Sequence, residues 1–304
     1  MTFTTSLKEE ISKNDFSLVE ARYEIEAFIK STGKIKNEIV ITLENASVAR
    51  RIYKDIKMVF DISASIVVRI QKRFRIKQIY ILTIKDKVDF IKTAIDYDNM
   101  NVKLETEEEK IAFLQGAFLA IGNISNPQTS GYHLEFICNN INFAQTIQNL
   151  LISFNLNAKI VERGYKSVVY LKSSENISDL LKLFKATGSM FFFEDIRIYR
   201  DHKNMVNRLN NCEISNQTKS LQTGLKQLED IKYLKEHDLI DVLDEKGKIV
   251  VEAREKYPES SLTELAEIIT LEYNYRIGKS GVNHHFIKIT NLVKRHRSNN
   301  ENQS

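Results

Sequence analysis

The sequence predicts an α+β protein in which a duplicated α-β-β-α-β-β-α module is followed by an all-α region. Two observations carry that expectation. Residues 23–35, YEIEAFIKSTGKI, and residues 112–124, AFLQGAFLAIGNI, are both apolar helical stretches ending in glycine (Gly33, Gly122) and then isoleucine. Each is followed by the same succession of short strands and an Asn-led helix, whereas residues 238–297 carry helical periodicity alone.

Taken in order, the helix starts are the clearest signals. Ser6-Leu-Lys-Glu9, Ser17-Leu-Val-Glu20, Thr106-Glu-Glu-Glu109 and Ser261-Leu-Thr-Glu264 fit the capping box, in which a hydroxyl caps one orphan N–H and a carboxylate reaches back to another. The acidic run Glu107 to Glu109 then reads as a first helical turn favoured by the helix dipole. In the first copy a strand is predicted at Glu38–Leu43, a helix from Asn45, and strands at Ser65–Ile70 and Gln78–Ile84. The second copy gives Tyr132–Ile137, a helix from Asn140, then Ala158–Val161 and Ser167–Leu171, with Ala49 matching Ala144 and Ile52 matching Ile147. Two such units commonly pair about a pseudo-twofold axis, so that each buries what it could not bury alone.

Boundaries follow from this reading: a duplicated domain over 1–213 (repeats of about 1–100 and 101–213), a linker helix over 214–237, and a helical domain over 238–304. In the linker, Leu221, Leu225, Leu228 and Ile231 recur at helical spacing and are expected to pack on one face. Three helices follow, near Asp244–Tyr257, Ser261–Glu272 and Ser280–Arg295, and then a polar tail expected to be disordered.

Composition bounds the function. A chain of 304 residues, 42% apolar and 28% charged, is enough for two or three domains. No apolar run approaches the roughly 18 residues that would span a membrane. The N-terminus has acids where a signal peptide needs a positive and then an apolar region, so a cytoplasmic, nucleoid-associated protein is expected. Cys138 and Cys212 form no C-x-x-C pair, which argues against a zinc module or a disulfide scaffold. The net charge of +4 is uninformative, but its distribution along the chain is not.

The last predicted helix is the sharpest local feature. Ser280 is read as its N-cap, followed by Gly281, Asn283, His284 and His285. Val282, Phe286, Ile289 and Val293 fall at i, i+4, i+7 and i+11, which makes one buried stripe. From Arg276 to Arg297 there are six Lys or Arg and no acid, Lys279 and Lys288 among them. Such a helix suits the second helix of a helix-turn-helix, whose N-terminal side chains reach base edges while its positive end faces phosphates. The alternative is a solvated basic helix.

A second basic feature is Arg69-Ile-Gln-Lys-Arg-Phe-Arg-Ile-Lys77. Period-two alternation puts Arg69, Gln71, Arg73, Arg75 and Lys77 on one strand face, where like charges repel unless an anion lies across them. A charged edge strand that blocks aggregation is the competing explanation. Other motifs fail. Gly278-Lys279-Ser280 lacks the first P-loop glycine, since Tyr273 stands there. His284 and His285 point roughly 100° apart on a helix, poor for one metal. No hydrolase or zincin motif is present, and no cofactor is expected.

Gly278-Lys-Ser-Gly-Val-Asn-His284, together with FEDIRIYRDHKNMVNRLNNCE from Phe193 to Glu213, resembles the signature of WhiA-type regulators, bacterial proteins linked to sporulation and cell division. The resemblance spans essentially the whole chain. It implies a LAGLIDADG-homing-endonuclease-like domain followed by a helix-turn-helix domain that dominates DNA binding. In an active endonuclease of that kind each motif helix ends in an acid that holds a divalent metal. Here those positions carry Thr32 (with Lys30 before it) and Ile121 (with Leu119 before it), so no catalytic or metal site is expected. Ala27, Gly116, Ala117 and Ala120 keep the small-residue packing part of the motif. One departure is LEYNYRI between Thr270 and Gly278, longer than expected for the turn before a recognition helix.

The resemblance and the basic helix together point to a sequence-specific transcription regulator acting on promoter DNA, with protein partners such as other transcription factors. Ser280, Asn283, His284, His285 and Lys288 are expected near bases or phosphates. A nucleic-acid-binding or protein-interaction module without promoter specificity is the alternative, and a metal-dependent nuclease is disfavoured by the missing carboxylates.

Overall fold

The computed structural model describes residues 2–32, 34–71 and 77–301, with backbone alone at 77, 300 and 301. It divides into two compact units, residues 1–201 and 202–304.

The first unit starts with helix α1 (Phe3–Ile11), and the duplication follows element by element. Copy one runs α2 (Leu18–Thr32), β1 (Lys34–Ile35), β2 (Ile39–Leu43), α3 (Ala46–Phe60), β3 (Ser65–Gln71), β4 (Lys77–Ile84) and α4 (Val88–Ala94). Copy two runs α5 (Glu107–Ile121), β5 (Gly122–Ile124), β6 (Leu134–Cys138), α6 (Ile141–Ser153), β7 (Lys159–Arg163), β8 (Lys166–Leu171) and α7 (Ser174–Leu183). Each copy folds its four strands into an antiparallel sheet of the same order, β1-β2-β4-β3 and β5-β6-β8-β7. The register puts Ile39, Ile41, Leu82 and Ile84 on the inner face of one sheet, and Leu134, Phe136, Val169 and Leu171 on that of the other. All eight are buried in a single apolar core beneath the helices.

Local chemistry explains the helix starts. Asn45 and Asn140 each accept two backbone N–H bonds, so α3 and α6 begin alike. Thr106 and Ser261 form complete capping boxes, and Ser17 exchanges the same two bonds with Glu20. Ser6 does not start a helix. Thr2 caps α1 by accepting from Thr5, and Ser6 lies one turn inside.

The two copies meet along α2 and α5. A Cβ on Gly116 would lie 2.1 Å from the carbonyl oxygen of Glu24, so only glycine permits this approach. Ala27 and Ala117 are fully buried, and Ala120 packs partly buried against the same core. Beside this contact Arg51, 3% exposed, binds Glu24 through two bonds of 2.8 and 2.9 Å and lies 3.6 Å over the Phe16 ring. Asp55 is buried next to them with neither oxygen accepting a hydrogen bond, Arg51 Nε standing 3.7 Å away. Burial, first, and then the Glu24 charge hold its carboxyl well above the ordinary range.

The chain continues as one helix, α8 (Thr187–Glu236), rather than a motif followed by a separate linker helix. Glu10 accepts from the backbone N–H groups of Gly188 and Ser189 at its start, where an anion offsets the helix dipole.

The second unit contains the end of α8 with α9 (Glu245–Lys256), α10 (Leu262–Glu272) and α11 (Lys279–Glu301). Its core joins Ile231 and Leu234 to Val250, Ala253, Leu265, Ile269 and the α11 stripe. The face expected of the linker is corrected here. Leu221 is 44% and Leu225 62% exposed, and the buried line runs through Gly224, Gln227, Ile231 and Leu234. Gly224 decides this, because a Cβ there would stand 2.9 Å from the Pro258 carbonyl oxygen. Among the described residues no helix is long and apolar enough to cross a membrane.

Candidate nucleic-acid interface

Helix α10, a six-residue connection (273–278) and helix α11 form the candidate site. The connection exceeds the 3–4 residues or so usual in a helix-turn-helix, and Asn274 takes a left-handed φ of 49° within it. α11 begins at Lys279, with Val282 N–H bonded to the Gly278 carbonyl at 3.1 Å. The expected Ser280 cap is therefore corrected: glycine holds the N-cap position, and Ser280 is a first-turn residue exposed to solvent. Gly281 is half-buried because Ile277 packs over it; a Cβ there would meet Ile277 Cγ1 at 2.7 Å.

The stripe Val282, Phe286, Ile289 and Val293 is at most 3% exposed, each member contributing roughly 1.5–3 kcal/mol of burial. This anchors the opposite face outward. Lys279, Ser280, Asn283, His284 and Lys288 are all exposed on it, continued by Asn291, Lys294 and Arg295. No acid interrupts it between residues 276 and 297. His285 belongs elsewhere. It is 8% exposed and turns inward, its Nδ1 3.9 Å from the Asp244 carboxylate that caps α9. The i+3 step from the buried Val282 carries it to the packed side, so it presents nothing to a partner. Burial, the largest influence, holds its pKa below the ordinary value although Asp244 opposes it.

Sequence reasoning missed Ile287, which is 50% exposed between Asn283, His284 and Asn291. Its position one residue after Phe286 puts it off the buried stripe, a signal that was available. An exposed isoleucine among short polar and cationic side chains has the mixture that reads base edges, since the thymine methyl group takes apolar contact.

The second basic feature is only partly visible. Arg69 is exposed on β3, an edge strand, and shares its outward face with Val67 and Gln71, Arg69 standing opposite Ile79 and Val67 opposite Ile81 of β4. Arg73, Arg75 and the Lys77 side chain lie outside the described residues. At the ends of the paired helices, the Thr32 hydroxyl donates to the Phe28 carbonyl at 3.1 Å, and Lys30 is held by Glu26 at 2.9 Å. Ile121 is partly buried apolar surface and Leu119 is 2% exposed, so neither helix ends in a free carboxylate. Among the described residues no cluster of three His, Cys, Asp or Glu is placed to hold a metal.

Three family models match in chain order: the WhiA N-terminal LAGLIDADG-like domain over residues 19–96, the WhiA LAGLIDADG-like domain over 110–203, and the WhiA C-terminal HTH domain over 206–293. The "Probable cell division protein WhiA" of Staphylococcus aureus (strain JH9) is 36% identical across 98% of both chains. The chain belongs to the WhiA family. The same relation holds for the WhiA protein of Staphylococcus aureus strain Newman, again 36% identical over 98% of each chain. Among solved structures, full-length DUF199/WhiA from Thermatoga maritima matches 97% of this chain with a TM-score of 0.58 and 24% identity, which bears on fold. The N-terminal LAGLIDADG domain of DUF199/WhiA covers 60% of this chain with a TM-score of 0.51 and 26% identity. The duplicated module is thus the WhiA LAGLIDADG-like part, and α10 with most of α11 falls within the WhiA helix-turn-helix part.

Proposed function

We propose that the chain is a sequence-specific DNA-binding transcription regulator that acts on promoter DNA in the cytoplasm, within the nucleoid, in control of cell division. The outward face of α11 is the observation that carries this reading. It combines amide, imidazole, aliphatic and ammonium groups, excludes carboxylates, and is fixed by a fully buried back. Asn283, His284 and Ile287 would read base edges in the major groove, while Lys279, Ser280 and Lys288 would engage phosphates. Arg69, Arg73, Arg75 and Lys77 would supply an accessory nucleic-acid surface, although an edge strand also uses such charges to refuse strand addition. Other transcription factors would be the protein partners.

The duplicated module has no catalytic part in this proposal. A divalent metal needs charged oxygen ligands, and Thr32 and Ile121 offer none at the helix ends. Incubation of supercoiled plasmid with the protein and Mg²⁺ or Mn²⁺ should leave it intact. Nicking abolished by a chelator would overturn this part.

The DNA-binding reading is tested by changing Asn283→Ala together with Lys288→Ala in the full chain. Both side chains are exposed, so the melting temperature should hold while gel-shifted complexes on a promoter fragment disappear. A base contact worth about 1–3 kcal/mol, lost with a phosphate contact, is enough for this. Unchanged binding would remove α11 from the interface.

A further inference from the structure

Within the second unit, α8, the first turn of α10 and the start of α11 enclose a cavity of about 470 Å³. Its walls include Lys219, Ser220 and Thr223 of α8, Arg254 of α9, Thr263 of α10 and Lys279 of α11, and no Asp or Glu lines it. Three of these groups are cationic and three carry hydroxyls. The start of α10 adds the N–H groups of its first turn, which a helix leaves without intrahelical acceptors. The Glu264 carboxylate is engaged with the backbone N–H of Ser261 in the capping box, so it does not fill the cavity.

Arg254 makes this more than a helix terminus. It is 1% exposed, yet among the described residues no carboxylate pairs with it, and its Nε–H has no acceptor. One nitrogen, Nη1, donates to the carbonyls of Tyr257, Pro258 and Ser260, which closes the turn between α9 and α10. Carbonyl dipoles satisfy part of its donor set and the Phe286 ring lies 5.6 Å from the guanidinium, but no anion balances the charge among the described residues. Burying an unpaired cation is costly, and an anion in the adjoining cavity would offset that cost.

We propose that this cavity binds a phosphate group of the DNA backbone, so that α8, through Lys219, Ser220 and Thr223, is part of the DNA interface alongside α11. The inference rests on the DNA-binding reading above. Lys279 belongs to both surfaces, since it opens α11 and also lines the cavity. A phosphate held there would position the helix-turn-helix without reading sequence, because backbone contacts fix register and orientation.

The test uses the full chain and Lys219→Gln, an exposed change that leaves the Arg254 turn intact. Affinity is measured from low to high salt on a promoter duplex and on a scrambled duplex of equal length. Losing one phosphate contact should reduce the slope of log K against log salt by about 0.9 on both duplexes. Between 50 and 200 mM salt, to order of magnitude, the variant's deficit should then change by about threefold to fourfold. A parallel arm compares melting temperatures in inorganic phosphate and in chloride at equal ionic strength. Stabilisation of the wild type by phosphate but not of Lys219→Gln, with the DNA slope unchanged, would assign the cavity to a free anion and overturn the proposal. No change in slope and no phosphate effect would also overturn it, and the α11 reading would stand if Asn283→Ala with Lys288→Ala still abolished binding. A wild-type protein that binds neither duplex would sink both.

Discussion

Replacing Gly116 by alanine separates the geometry of this fold from local propensity by the sign of the effect. Gly116 lies in the middle of α5, where alanine is favoured over glycine by about 1 kcal/mol in an exposed helix. The structure predicts the opposite. A Cβ there would sit 2.1 Å from the Glu24 carbonyl oxygen, against an ordinary contact of 3.4–4 Å. The obstacle is backbone of a packed helix, so α2 and α5 must move apart by more than an ångström over a contact that also holds Ala27 and Ala117. Overpacking of this kind costs about 1–3 kcal/mol and occasionally more. A clash this short against backbone belongs at the upper end, about 3 kcal/mol, so with the gain of about 1 kcal/mol subtracted Gly116→Ala should be destabilised by roughly 2 kcal/mol, and a bulkier valine by more. Urea denaturation followed by far-UV circular dichroism measures this, since the chain has no tryptophan. For a unit of about 200 residues the shift in melting temperature should be roughly 4–8 °C. An alanine variant as stable as the parent would refute the close helix approach and the pairing of the two copies built on it.

Other expectations concern charge and access. Asp55 is protonated more readily in the folded chain, so the first unit should lose stability as pH rises from about 4 through the raised native value. Asp55→Asn removes the titrating carboxyl and should exceed the parent by about 1–3 kcal/mol at the alkaline end of that window, a loss parallel to wild type arguing against the raised carboxyl. His285 behaves oppositely: its proton is held more weakly when folded, so the second unit should weaken as pH falls below about 6.5. His285→Leu should flatten that dependence, and an unaltered pH profile would count against inward packing. Native protein should take up one equivalent of an alkylating reagent, at the exposed Cys212. Cys138, buried with its thiol pushed up to about 12, should label only after unfolding.

The duplicated module was legible because burial in a sheet enforces period two and because each copy repeats the same punctuation: glycine after a helix, asparagine before one. The α11 stripe was legible for the corresponding reason, four apolar residues at helical spacing on one face. What failed were questions settled by a neighbour rather than by the segment. Leu221 and Leu225 looked like core on α8, but Gly224 lets that helix approach Pro258 closely, and so turns Gln227 inward and the leucines out. His285 read as a contact residue because it lies in the first turns of α11, yet the α9 start lies against it. Ser280 had the chemistry of a cap, but the helix starts two residues earlier, with Gly278 in that position. The unpaired Arg254 could not be read at all, because nothing in the sequence says that no carboxylate reaches it.

In this proposal α11 is the element that selects DNA. Recovering bound DNA genome-wide from cells that express either the full chain or its Asn283→Ala, Lys288→Ala form tests this most directly. Sharp sites sharing a short sequence upstream of genes, lost in the variant, are the predicted result. Diffuse recovery by the parent, or the same sites retained by the variant, would contradict it.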